Sequence, residues 1–194
     1  MSRMLGYVLA PALLFAVACG DQASGPLDPI TAPVFTHGAS DSEESNGGNF
    51  GTPLSGREEV PVRPTRARGN AIFHVNAEGW SVSYKLIVAN IENVVAANIH
   101  AGPRGENGPV VAWLYGPQQP GGGRIQGVIG QGTIVANHLI GPLAGQDIDA
   151  LVELMKSGNA YVNVHTNDGV GAPNSGPGDF PGGEIRGQID HRGH

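Results

Sequence analysis

Apolar and polar residues alternate along residues 80–88. Trp80, Val82, Tyr84, Leu86 and Val88 fall on one face, and Ser81, Ser83 and Lys85 on the other. Period two with one polar side predicts an antiparallel strand that is half exposed to water. Residues 70–75 precede it across a turn at Asn76-Ala77-Glu78-Gly79, so the two runs predict a hairpin. Further strands are predicted at 94–101, 110–115, 125–135, 160–166 and 184–190. Gly127, Gly130 and Gly132 interrupt the 125–135 run, and glycine inside a strand points to a bulge or bend. One segment breaks the pattern. Ile148, Leu151, Val152 and Met155 recur at helical spacing, with Asp147 placed to cap the start, Lys156 suited to the C-terminal dipole and Gly158 placed to end the helix. Together these elements predict an all-β fold, an antiparallel Greek-key β-sandwich or barrel with one short helix.

Composition narrows this reading. The chain of 194 residues holds 31 Gly and 15 Pro, and charged residues are 14%. That mixture excludes helical bundles and coiled coils, which are rich in Ala, Glu, Lys and Leu. A formal charge of −6 leaves no clustered cations for phosphate, so no nucleic-acid partner is expected. The N-terminus is distinct. Residues 1–18 carry Arg3 and then an apolar run too short to span a bilayer, which reads as a signal peptide. They end in Ala16-Val17-Ala18-Cys19-Gly20, which resembles a bacterial lipobox with Cys19 as the lipid attachment site. The alternative is an ordinary signal cut near Ala18 with Cys19 incidental. Residues 19–50 are rich in Gly, Ser, Pro and acids, and read as a lipid-anchored flexible tether. Residues 51–191 form the expected domain. The expected location is the bacterial membrane, anchored by lipid, on the periplasmic side or at the cell surface.

Candidate chemistry lies in two similar segments, Asn98-Ile99-His100 and Asn163-Val164-His165. Residues i and i+2 of a strand point the same way, so each Asn shares a face with its His while Ile99 and Val164 face the core. If the strands are neighbours, two imidazoles converge. His100 and His165 are then candidate ligands for copper or zinc, with a third ligand from Glu184, His74 or Asp168. The competing reading has these side chains hydrogen-bonded to the backbone of long loops. In Glu184-Ile185-Arg186-Gly187-Gln188, Glu184 and Arg186 share a face and read as a structural ion pair. Glu184 as a general base is the weaker reading, because no nucleophile motif accompanies it. No catalytic residue is assigned.

Four segments carry a family resemblance. They are Leu54-Ser55-Gly56-Arg57-Glu58-Glu59-Val60-Pro61 with Gly69-Asn70-Ala71, Asn98-Ile99-His100-Ala101-Gly102-Pro103 with Asn107-Gly108-Pro109-Val110-Val111, Gly158-Asn159-Ala160-Tyr161-Val162-Asn163-Val164-His165-Thr166, and Pro181-Gly182-Gly183-Glu184-Ile185-Arg186-Gly187-Gln188. In this order they resemble the CHRD domain, named after chordin and found in bacterial exported proteins. The resemblance spans about residues 51–190 and implies an extracellular all-β module. The family often shows His-Ile-His where this chain has Asn98-Ile99-His100. The resulting expectation is a binding or scaffold module without catalysis, contacting a protein or glycan through Ser81, Ser83 and Lys85 or through the Gly-rich loops. The alternative is a copper or zinc protein built on His100 and His165, serving metal handling or redox defence.

Overall fold

The computed structural model describes residues 48–191. The expected signal peptide, Cys19, the tether through residue 47 and His194 lie outside the described residues. The strands are β1 (Asn49–Ser55), β2 (Arg68–Val75), β3 (Val82–Glu92), β4 (Val94–Ala101), β5 (Val110–Tyr115), β6 (Arg124–Ile134), β7 (Ala160–Thr166), β8 (Ile185–Gln188) and β9 (Asp190–His191). Helix α1 (Ile148–Lys156) precedes β7, and three short 3₁₀ turns lie in the connections.

All strands join one antiparallel sheet in the order β5-β4-β7-β8-β1-β2-β3-β6, with β9 on β1. The sheet curls until its two ends meet. The Tyr84 hydroxyl of β3 donates to the Leu114 carbonyl of β5 at 2.9 Å, and the backbone of Gly130 in β6 lies against the same carbonyl. Of the sandwich and barrel alternatives, the molecule is therefore a nearly closed, barrel-like sheet. Closure hides most backbone edge groups, leaving the β5–β6 seam as the gap.

The alternating patterns explain why the interior fills. Val82, Leu86 and Val88 of β3, Ala97 and Ile99 of β4, Val162 and Val164 of β7, and Ile185 with Ile189 are all buried. Helix α1 adds Ile148, Leu151, Val152 and Met155, the stripe its spacing predicts. Asp147 holds the N-cap position, but its side chain makes no capping bond. Gly158 sits at φ 68°, the left-handed turn that ends the helix. The glycines of β6 do coincide with bulges: register shifts interrupt β3–β6 pairing on both sides of Gly127, which has φ 94°.

Two expectations need correction. Trp80 is 77% exposed, because β3 begins at Val82 and leaves the indole in the preceding turn. Strand β1 has no counterpart among the predicted elements. It opens at Asn49, inside the segment assigned to the tether, and Phe50 and Leu54 are fully buried.

Candidate functional site: a buried polar layer

Strands β4, β7 and β8 present a second face, opposite the core. Antiparallel register sets Asn98 against Asn163, His100 against Tyr161, Asn163 against Arg186 and Tyr161 against Gln188. All these side chains point outward, yet Asn98, His100, Tyr161, Asn163, Arg186 and Gln188 are buried. They are buried because three connections, residues 56–67, 102–109 and 167–184, roof this face.

The roof is pinned from below. His100 Nδ1 donates to the Gly108 carbonyl and His165 Nδ1 to the Pro181 carbonyl, each at 2.9 Å. Arg186 is 1% exposed. Its guanidinium lies 3.4 Å from the centre of the Tyr161 ring, a cation–π contact, and it donates to Asn107 Oδ1 and to the Pro103 carbonyl. Glu184 accepts from Thr65 Oγ1 at 2.6 Å, from Thr166 Oγ1 at 2.7 Å and from the Gly178 amide at 2.8 Å. The Gln188 amide donates to the Gly102 and Gly158 carbonyls. Each of these side chains satisfies loop backbone that burial would otherwise leave unpaired.

The electrostatics follow from the burial. Glu59 lies beneath the roof, 4% exposed, with the Asn163 amide 3.5 Å away. Loss of water raises its carboxyl from 4.5 to about 7, and the nearby Arg186 and Arg63 only partly offset this. Burial likewise lowers the His165 imidazole to about 4 and lowers that of His100. Both rings are therefore neutral near pH 7.

A family model, that of the CHRD domain, matches residues 50–189. The chain belongs to the CHRD family. No curated protein and no solved structure matches it.

The CHRD barrel brings some expected residues together and separates others. His100 and His165 do converge, with ring centroids 5.8 Å apart. Their bonds to loop carbonyls are also those of the competing structural reading. The suggested third ligands do not join them. Glu184 is engaged with Thr65, Thr166 and Gly178, His74 pairs with Asn49 on β1, and Asp168 accepts from the Val170 amide in its own loop. Among the described residues there is no group of three or more His, Cys, Asp or Glu side chains arranged to hold a metal ion. The Glu184–Arg186 ion pair is not formed: among the described residues no salt bridge joins them. Glu184 precedes β8 and turns toward Thr65 and Thr166, while Arg186 extends over Tyr161 with Glu59 as a neighbouring carboxylate.

Glu59, Tyr161, Asn107 and Thr65 are members of this layer that residue-by-residue reasoning did not single out. Glu59, Asn107 and Tyr161 do fall within the family segments, but local pattern gives no sign that a Glu in a Gly-Arg-Glu-Glu run is buried.

A second feature of the CHRD domain is a groove at the barrel seam. It has a volume of about 380 Å³ and is lined by Tyr84, Trp113, Thr133, Asn137, His138 and neighbouring residues of β6. Trp113 is 44% exposed there. His138 Nδ1 donates to the Thr133 carbonyl at 3.2 Å.

Proposed function

We infer that this CHRD domain is a non-catalytic binding module, carried outside the cytoplasm on a lipid at Cys19, and that the seam groove is where it contacts a protein or glycan ligand. Family membership supports a binding module in general. The observation that carries the reading is the groove itself: an exposed indole beside uncharged donors and acceptors on a rigid barrel edge. Aromatic faces with a few placed polar groups are the usual make-up of a recognition site. Ser83 and Lys85 are exposed on β3, where Ser83 pairs with Thr133 at the groove margin. The non-catalytic part is supported by Glu184. Both its oxygens accept hydrogen bonds and it is 1% exposed, so it has no free lone pair at a surface to take a substrate proton.

Two measurements test this reading. In a bacterial host, the full chain is expected to incorporate a labelled fatty acid and partition into detergent, while Cys19→Ser does neither. Equal partitioning of the two would remove the anchor. By titration calorimetry, soluble cell-envelope glycans are expected to bind, with affinity falling at least about tenfold in Trp113→Ala, the loss of about 1.4 kcal/mol of stacking. Affinity unchanged in that variant would remove the groove.

A further inference from the structure

The buried polar layer is short of donors. Each histidine uses Nδ1 toward a carbonyl, and a carbonyl only accepts, so the proton of each neutral ring is on Nδ1. Nε2 of both rings therefore carries a bare lone pair. Both Nε2 atoms are fully buried and have no hydrogen-bond partner. Glu59 Oε1, Asn163 Oδ1 and Gln188 Oε1 are likewise buried without a partner, as is the donor Asn98 Nδ2. An unmet buried polar group costs about 1–3 kcal/mol. Even with the Glu59 proton counted as a donor, acceptors outnumber donors, and the two Nε2 lone pairs, each on a ring already committed through Nδ1, are the pair that one shared cation relieves.

We propose that His100 and His165 together bind one soft monovalent cation through Nε2, copper(I) being the biological case. A backbone carbonyl on the opposite ring nitrogen is the usual way that a ligating imidazole is oriented, and both rings have one. The separation fits. Two imidazoles that share an ion at about 2.1 Å from each Nε2 have centroids roughly 5–6.5 Å apart, for angles at the metal from tetrahedral to linear. The observed value is 5.8 Å.

The surroundings select the charge and the coordination number. Zinc takes four ligands, commonly with anionic ones, and no third His, Cys, Asp or Glu completes such a set among the described residues. The buried Arg186 guanidinium packs on Tyr161, whose ring stacks on His100 at 4.8 Å. A second positive charge nearby is costly and a double one more so. A monovalent d¹⁰ ion that accepts two nitrogen donors meets both constraints. The pair shares no residue with the seam groove, so this inference stands or falls apart from the glycan reading.

Silver(I) is a redox-inert probe for such a site. The full chain would carry Cys19→Ser, which removes the competing thiol, and would be labelled with ¹⁵N in its histidine rings. One equivalent of silver(I) is expected to shift the Nε2 resonances of both His100 and His165 together, and one equivalent of zinc(II) to shift neither. Affinity for silver(I) is expected to fall at least about 100-fold in His100→Gln and in His165→Gln, and to hold in His74→Gln, which removes an exposed ring on β2. Ring resonances indifferent to silver would overturn the proposal. Silver affinity unchanged in folded variants, or zinc bound as tightly, would overturn it as well. If either variant fails to melt cooperatively, the resonances of the parent protein decide.

Discussion

Glu59 and His165 are opposed titrating residues under one roof. For Glu59 the folded state holds the proton up to about pH 7 and the unfolded chain releases it near 4.5. Its contribution is present below 4.5 and is lost as pH rises through 7. For His165 the unfolded chain takes a proton near 6.5 while the folded ring resists until about 4. Its contribution is lost as pH falls across that window, and the lowered His100 acts in the same direction. Between 4.5 and 6.5 the slopes oppose, so Glu59 offsets part of the rise in stability with pH that the two histidines give, and urea unfolding is expected to show a shallower rise in the native protein than in Glu59→Gln. Glu59→Gln keeps the neutral shape and removes one slope. It is expected to match the native protein at pH 4 and to exceed it by about 3 kcal/mol at pH 8. A gap that does not widen between those pH values would contradict the assignment. The sequence offered this residue no local mark, because a carboxyl's burial depends on Asn163 and Arg186, more than 100 positions away.

Among the elements, legibility followed the strength of the apolar signal. Strands β4, β5 and β7 fall where their aliphatic runs place them, and α1 buries its predicted stripe. Strand β1 was unreadable, because Gly51 and Pro53 interrupt its seven residues. Its stability is tertiary: it pairs along its whole length with β2, meets β8 at Ser55–Arg186, and buries Phe50 and Leu54. A chain that begins at Gly48 is therefore expected to melt cooperatively. One that begins at Gly56 loses two core side chains worth about 2–5 kcal/mol each and the ladders beside them, a loss comparable to the whole stability of a typical domain. Circular dichroism should show no thermal transition for it. A cooperative melt there would mean that β2 and β8 close the barrel alone.

At the scale of the molecule, the all-β class and single helix were legible, whereas the second buried face was not. Period two marks one face of β7 as apolar and the other as polar, and a polar face is ordinarily wet. Here Tyr161 and Asn163 are buried along with Val162 and Val164, because loops cover the outside of the sheet. Pattern along a strand cannot report what a distant loop lays over it. The paired Asn-x-His segments did mark where that cover sits.

Strands β1 and β9 have a consequence for how such a domain travels. Phe50 pairs with His191, so the chain enters and leaves the barrel at adjacent points of the sheet. A module whose two ends lie together can be spliced into a surface loop of another protein, or strung with copies of itself, without stretching its host. The geometry that closes this barrel also makes it portable.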